Sequence, residues 1–460
     1  MSLMNTISGI RGTIGGAPKD NLTPIDIVKF TAAFGTIIKE ENPDNNKIMI
    51  GRDGRISGAM VSQLAANTLV AMGFEVVDLG FSTTPTVEMA VKLAKAAGGI
   101  ILTASHNAKE WNALKLLGNT GEFISADACK RIEEIAKEEA VEFSNVMHLG
   151  KIKTDETFIQ QHIDAILNHP LVDIEAIQKA GFKVVVDGVN STGSIFVPQL
   201  LASLGVETVH VINEEVNGLF AHNPEPLEEN LSELIATVQK KQFDLGIAVD
   251  PDVDRLVLVN EDGTMFGEEY TLVAVADYYL THKKGNTVSN LSSTRALRDI
   301  TEKHGQQYFY SAVGEVHVVE KMKEQGAVIG GEGNGGVIDP ELHYGRDALV
   351  GIALFLSHLA HFGKTMSQLR GTYPSYFMSK NKINLSKDMD NAAIFSAIQE
   401  QYKNYPMITI DGLKIEFEKD WVHLRASNTE PIIRIYAESD AQNKADNIAE
   451  KLIQDIKALI

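Results

Sequence analysis

Three aspartates in five residues, Asp250-Pro251-Asp252-Val253-Asp254, stand directly after the apolar run Leu245–Val249 and directly before Arg255. Residues two apart share one side of an extended chain, so three carboxylates can converge on one hard cation. Buried together they need a compensating charge, and a dication supplies it. No histidine or thiol lies nearby, which favours Mg²⁺ over Zn²⁺. The glycine and distal glutamate of an EF-hand are missing. A lone D-x-D would read as a solvated turn; three aspartates plus Arg255 at the end of a buried strand read as a metal loop. Arg255 is placed to meet a phosphate oxygen.

Thr103-Ala104-Ser105-His106-Asn107 follows another apolar run. Ser105 is a candidate nucleophile, His106 a possible acid or base, and Asn107 suits a tight turn. The stretch is not the G-x-S-x-G elbow of hydrolases. On an extended chain His106 would face away from Ser105, so no Ser–His dyad is implied, and a capping serine beside a surface histidine fits this stretch equally well. Gly331-Glu332-Gly333-Asn334-Gly335-Gly336 offers two polar side chains among glycines that let backbone approach a ligand. Glu332 and Asn334 could hydrogen-bond sugar hydroxyls. Arg425, Ser427, Asn428 and Thr429, with Arg434 beyond, collect guanidinium, hydroxyl and turn N–H groups able to surround a dianion. Arg11 lies in the stretch Ser8-Gly9-Ile10-Arg11-Gly12. Lys115 sits inside the apolar run Ala113–Leu117, where a cation is costly unless it faces a charge.

The elements that would carry these loops recur three times. Short apolar runs begin at Lys47, Lys183 and Asn286, and each leads to a helical stretch. Second strand candidates follow at 74–79, 206–212 and 307–311. Third runs then end in the serine, aspartate and glycine loops. Such alternation indicates α/β units with mostly buried sheets, in which ligands bind beyond the carboxyl ends of strands. The expected architecture is three related α/β domains with mixed sheets plus a C-terminal α+β domain, set around a central cleft. The expected boundaries are 1–152, 153–255, 256–370 and 371–460.

Composition narrows the class. At 460 residues the chain exceeds one core, and its 44% hydrophobic and 22% charged content is that of a globular protein. A net charge of −19 repels nucleic acid and anionic lipid, so neither is an expected partner. An anionic substrate would need a locally positive site. No apolar run reaches the roughly 18 residues of a membrane span. The N-terminus lacks the layout of a secretory signal, and Met1-Ser2-Leu3 ahead of Met4 is set aside as a non-native leader. The single cysteine, Cys129, excludes an intrachain disulfide and a multi-thiolate metal site, and fits a reducing, cytoplasmic setting.

In this order and over nearly the whole chain, the four loops resemble those of the α-D-phosphohexomutase family: S/T-A-S-H-N, D-x-D-x-D-R, G-E-x-S/N-G and R-x-S-x-T-E-P. The resemblance implies that Ser105 is a phosphoserine and that it joins Asp250, Asp252 and Asp254 in holding Mg²⁺. It implies that Glu332 and Asn334 contact the sugar, and that Arg425, Ser427, Asn428 and Thr429 hold the phosphate that is not reacting. Arg11, His106 and Lys115 match positions near the phosphoserine. The implied activity interconverts a hexose 6-phosphate and 1-phosphate, with a sugar 1,6-bisphosphate as intermediate and activator, in a monomer or homodimer. The sugar loop looks like that of archaeal-type phosphoglucosamine and phosphomannose mutases, and glucosamine phosphate is the expected substrate, with mannose or glucose phosphate as the alternative. A phosphatase and a non-catalytic phosphosugar-binding protein are the more distant readings. Departures are Pro251 for glycine, Asn334 for serine, Asn428 for glycine, and Val316 where many members carry Lys or Arg; His317 could substitute there.

Overall fold

The computed structural model describes residues 3–7, 9–385, 391–426 and 432–459. Three sheets share one topology. Numbered by appearance within its unit, each has strand order 4-3-1-2, with strands 1 to 3 parallel and strand 4 antiparallel. The third strands are Gly98–Leu102, Leu245–Val249 and Ile329–Glu332, and every residue in them is buried. Strands covered on both faces must be apolar throughout, which is why these runs do not alternate with polar residues. The serine, aspartate and glycine loops occupy the same place in each unit, the reversal between strands 3 and 4.

The first sheet is enlarged to seven strands by Met4–Thr6 and Gly9–Thr13 at one edge and Lys151–Thr154 at the other. That last strand runs past the expected boundary at 152. The second sheet closes on Leu256–Asn260, beyond the expected end at 255, because the aspartate loop is a hairpin rather than a domain end. Leu3, set aside in the sequence, donates its N–H to the Asp20 carbonyl at 3.0 Å and packs on the first core.

Two helices, Glu268–His282 and Ala348–Phe362, are apolar nearly all round. A helix of that kind must be covered on every side. Both belong to one continuous core that spans the second and third units, so these two share their interior. The C-terminal unit is a five-stranded antiparallel sheet covered by Asn391–Gln401 and Gln442–Lys457, with its own core. No helix among the described residues is long and apolar enough to cross a membrane.

Candidate active site

Ser105 ends the reversal after Gly98–Leu102 with a φ of 49°, in the left-handed region that costs a non-glycine residue energy. That turn brings its Oγ to Asp250, to which it donates at 2.6 Å. The serine loop of the first unit and the aspartate loop of the second therefore touch. The same turn overrides the extended geometry assumed from sequence: His106 Nδ1 comes within 3.3 Å of Ser105 Oγ. Arg11 donates to Asn107 Oδ1 at 2.7 Å, behind the serine.

A residue missed in the sequence holds this loop. Arg55 is 1% exposed. Its Nη1 donates to the carbonyls of Ala108 and Trp111 at 2.7 and 2.8 Å, its Nη2 to those of Ser105 and Asn107 at 2.5 and 2.6 Å, and its Nε to Asp53 at 3.1 Å. All five guanidinium N–H groups are thus used. Asp53 also accepts from Thr103, whose hydroxyl accepts from the Ser105 N–H at 2.9 Å.

Asp250, Asp252 and Asp254 are all fully buried, and one oxygen of each lies within 4.8 Å of the others. Val253 between them has a φ of 62°, a strained value for a β-branched residue, as the price of converging three carboxylates. Lys115 answers the charge at 2.6 Å from Asp252 and 3.2 Å from Asp254. Burial lowers the lysine pKa, but the two aspartates outweigh it and hold it above its ordinary value. Thr84, a second missed residue, donates its hydroxyl to Asp252 at 2.5 Å and its N–H to the Asp252 carbonyl at 2.9 Å. It opens the helix Thr84–Leu93, whose free N–H groups favour a negative charge there.

Asp252 Oδ1 and Asp254 Oδ1 are buried without a hydrogen-bond partner. Orphaned carboxylate oxygens are expensive, and hard oxygen donors are what Mg²⁺ takes. The donor set therefore fits a hard dication. Burial, with Asp254 and Asp252 beside it, pushes Asp250 well above the carboxylate range. For Asp254, burial is outweighed by Arg346, Lys115 and Arg255, which hold it low. Arg255, expected to meet a phosphate, has Nη1 3.4 Å from Glu225. His106 is held well below its ordinary pKa by burial and by Arg255 and Arg11, so its imidazole is neutral at pH 7.

The glycine loop joins through Arg346, the third missed residue. It donates to Asp254 at 2.8 Å, to Glu332 at 3.0 Å and to Glu315 at 2.8 Å. Glu332 also accepts from Asn290 and from the Gly314 N–H, and Asn334 lies 3.5 Å from it. Gly335, at φ 87°, lets the loop lie on Leu256, whose carbonyl a Cβ would approach to 2.3 Å. His317 is a half-buried helix residue 3.5 Å from Glu320.

The C-terminal loop is described only in part. Arg425 pairs with Asp411 at 2.9 Å and lies directly across the strands from Arg434. Neither has a hydrogen bond or ion pair to the serine or aspartate loops. Ser427, Asn428 and Thr429 lie outside the described residues.

Family models for phosphoglucomutase/phosphomannomutase α/β/α domains I, II and III match residues 4–142, 160–263 and 267–376, and the C-terminal domain of the same family matches 382–454. The chain is 36% identical to a phosphoglucomutase/phosphomannomutase of Thermococcus kodakarensis, over 96% of this chain and 98% of the relative. It is 32% identical to a phosphoglucosamine/phosphogalactosamine mutase of Sulfurisphaera tokodaii, over 98% of each. A crystal structure of a putative phosphomannomutase from Thermus thermophilus superposes with a TM-score of 0.81 at 26% identity, covering 100% of this chain and 99% of that one. Four matched domains in unbroken order mean that the chain belongs to the phosphoglucomutase/phosphomannomutase family, the α-D-phosphohexomutases, and is a phosphosugar mutase.

Proposed function

We propose that this mutase interconverts the 6-phosphate and 1-phosphate of one hexose through a phosphoryl group carried on Ser105, with glucosamine phosphate as its preferred substrate. The observation that carries the relay is the 2.6 Å contact between Ser105 Oγ and Asp250, residues 145 apart in sequence. A hydroxyl there can carry a phosphoryl group against a cation-binding loop.

In the forward step a hydroxyl of the hexose phosphate attacks the phosphorus on Ser105. The sugar O–P bond forms, the Ser105 Oγ–P bond breaks, and the product is the hexose 1,6-bisphosphate. The hydroxyl proton passes to neutral His106 Nδ1, which returns it to Ser105 Oγ. After the bisphosphate turns over, its other phosphoryl group returns to Ser105 by the reverse path. Phosphoryl transfer of this kind is loose, so positioning and charge matter more than covalent chemistry. Mg²⁺, held by Asp250, Asp252, Asp254 and Ser105, would supply Lewis-acid charge at the transferred group. Lys115, held protonated, and Arg11 supply further positive charge. Glu332 and Asn334 read the sugar, while Arg425, Ser427, Asn428, Thr429 and Arg434 hold the idle phosphate and Arg255 meets a phosphate oxygen. A sugar 1,6-bisphosphate would charge Ser105 as activator. One half-buried cysteine and a phosphorylated sugar suit the cytoplasm, and a monomer or homodimer suffices.

Support for the amino sugar is the acidic surround of the sugar loop, where Glu332 and Glu315 share one arginine, together with the 32% identical phosphoglucosamine/phosphogalactosamine mutase. The 36% identical phosphoglucomutase/phosphomannomutase favours mannose or glucose phosphate as the second reading. Parallel assays on the three hexose 1-phosphates, with catalytic bisphosphate and Mg²⁺, test both. Glucosamine 1-phosphate should give the highest kcat/KM, and a higher value for another sugar replaces the substrate. Ser105→Ala should fold and not turn over; wild-type rates in it remove the relay, and net phosphate release in the wild type would make the protein a phosphatase.

A further inference from the structure

Besides the Ser105–Asp250 contact, a second connection joins the same two loops. Pro251 lies between the aspartates, and its carbonyl accepts from Ser191 Oγ at 2.6 Å. The same Oγ accepts from the Gly54 N–H at 3.0 Å. Gly54 precedes Arg55, which donates to the Ser105 carbonyl. A path of hydrogen bonds and one peptide unit therefore runs from the backbone of the aspartate loop to that of the serine loop, across the boundary between the first two units.

The surroundings leave this path little freedom. Ser191 is 0% exposed, and a buried hydroxyl that accepts one bond and donates another has its proton direction fixed. Gly54 has no room for a side chain, since a Cβ would lie 2.9 Å from Ser191 Cα and 3.1 Å from the Asn190 carbonyl. Ser191 is presented by a strained turn, in which Val189 and Asn190 have φ of 48° and 54°. Three polar anchors hold that turn: Asp187 accepts from the Val189 N–H, the Asn213 carbonyl accepts from the Asn190 N–H, and the Asn190 carbonyl accepts from the Gly218 N–H. Strain kept by so many anchors marks a conformation the fold over-determines.

We infer that Ser191 is a positioning residue, the interdomain strut that fixes the distance between the phosphoryl-carrying serine and the cation-binding aspartates. The inference rests on the relay through Ser105. A phosphoryl group on Ser105 adds about −1.5 to −2 charges beside three carboxylates, and repulsion would part the loops where the backbones are not tied. A misplacement of about 1 Å in a near-attack geometry costs about a hundredfold in rate, so the strut acts on kcat.

The test is Ser191→Ala beside Thr192→Ala in the full-length protein. Thr192 also donates to the Pro251 carbonyl, at 3.0 Å, but is not part of the path to Gly54. With Mg²⁺ and hexose 1,6-bisphosphate, phosphoryl uptake by Ser105 is followed by intact mass, and kcat and KM are measured in steady state. Ser191→Ala should lower the uptake rate and kcat about ten- to a hundredfold, with KM within about twofold. Thr192→Ala should stay within about threefold of wild type. Should Ser191→Ala not fold, Ser191→Cys, which keeps the shape with weaker hydrogen bonding, carries the same comparison. Wild-type kcat in the folded Ser191 variant, or equal losses in both variants, overturns the strut. No phosphoryl uptake by the wild type overturns the relay instead.

Discussion

Arg346 stands between Asp254, 2.8 Å away, and Glu332, 3.0 Å away, and so ties the cation-binding loop to the sugar loop with one guanidinium. Its third partner, Glu315, is buried and raised above its ordinary pKa chiefly by that burial. Three carboxylates on one cation leave the sugar side of the site acidic. Asp254 and Glu332 are held in register by the planar fork, which a lysine cannot reproduce.

Arg346→Lys should therefore lower kcat/KM by about ten- to a hundredfold, because both loops lose their shared reference point. Arg346→Gln should in addition cost about 3 kcal/mol of stability, since Glu315 is left buried without its cation. Steady-state kinetics and urea denaturation read the two effects separately. An Arg346→Lys variant with wild-type kcat/KM would mean that the two loops are placed independently.

Chelation should stop turnover and Mg²⁺ should restore it. Asp252→Asn should raise the Mg²⁺ concentration needed for half-maximal rate by about 10- to 100-fold. Binding has a second readout in folding: at a hundredfold excess over its Kd, Mg²⁺ should stabilise the wild type by about 2.7 kcal/mol. That increment should shrink in Asp252→Asn. A metal titration unchanged by the substitution would move the cation elsewhere.

What could be read in the sequence and what could not follows from where the partners lie. Asp250, Asp252 and Asp254 are local, so their spacing declared them, and the repeated strand–loop pattern placed Ser105 and Glu332 at equivalent reversals. Thr84, Arg346 and Arg55 were invisible because their partners Asp252, Asp254 and Ser105 lie 168, 92 and 50 residues away, on other elements. In the sequence, Gly54-Arg55 and Gly345-Arg346 look like any glycine–arginine turn. The one available signal was Arg55 and Arg346 themselves, each within two residues of an aspartate at the edge of an apolar run. The His106 orientation was missed for a different reason: a left-handed Ser105 reverses the alternation that an extended chain would impose. Boundaries at 152 and 255 fell inside sheets because a strand's membership is settled by its pairing, which local periodicity does not record.

A buried cluster at the junction of the first three units should make stability depend on pH. His343 is 3.3 Å from Asp347 and 3.1 Å from Glu88, and His162 is 2.9 Å from the same Asp347 oxygen. Burial lowers the His343 pKa, but Asp347 and Glu88 raise it from 6.5 to about 10. Its folded-state pKa lies above the unfolded one, so its contribution is complete below pH 6.5 and is lost as pH rises to about 10. Glu88, pushed up by burial to about 8, acts in the same direction between pH 4.5 and 8, because the unfolded chain ionises first. The urea midpoint should fall across that range, and His343→Gln should flatten the slope above pH 6.5. A midpoint independent of pH in the wild type would show that His343 and Glu88 keep their unfolded-chain pKa values in the folded protein.

The C-terminal arginines give a prediction about the idle phosphate. Arg425 and Arg434 are directly paired across antiparallel strands, so their side chains share a face. Like charges in that position repel, and among the described residues Asp411 pairs with Arg425, at 2.9 Å. An anion between them relieves the repulsion, which is the physical case for a phosphate site on this face. Arg434→Ala should raise KM for the hexose phosphate about tenfold with little change in kcat, the signature of binding lost equally in ground and transition states. It should also weaken the dependence of KM on ionic strength, because one screened charge contact is gone. A variant that loses kcat at unchanged KM would place Arg434 with the reacting phosphoryl group instead.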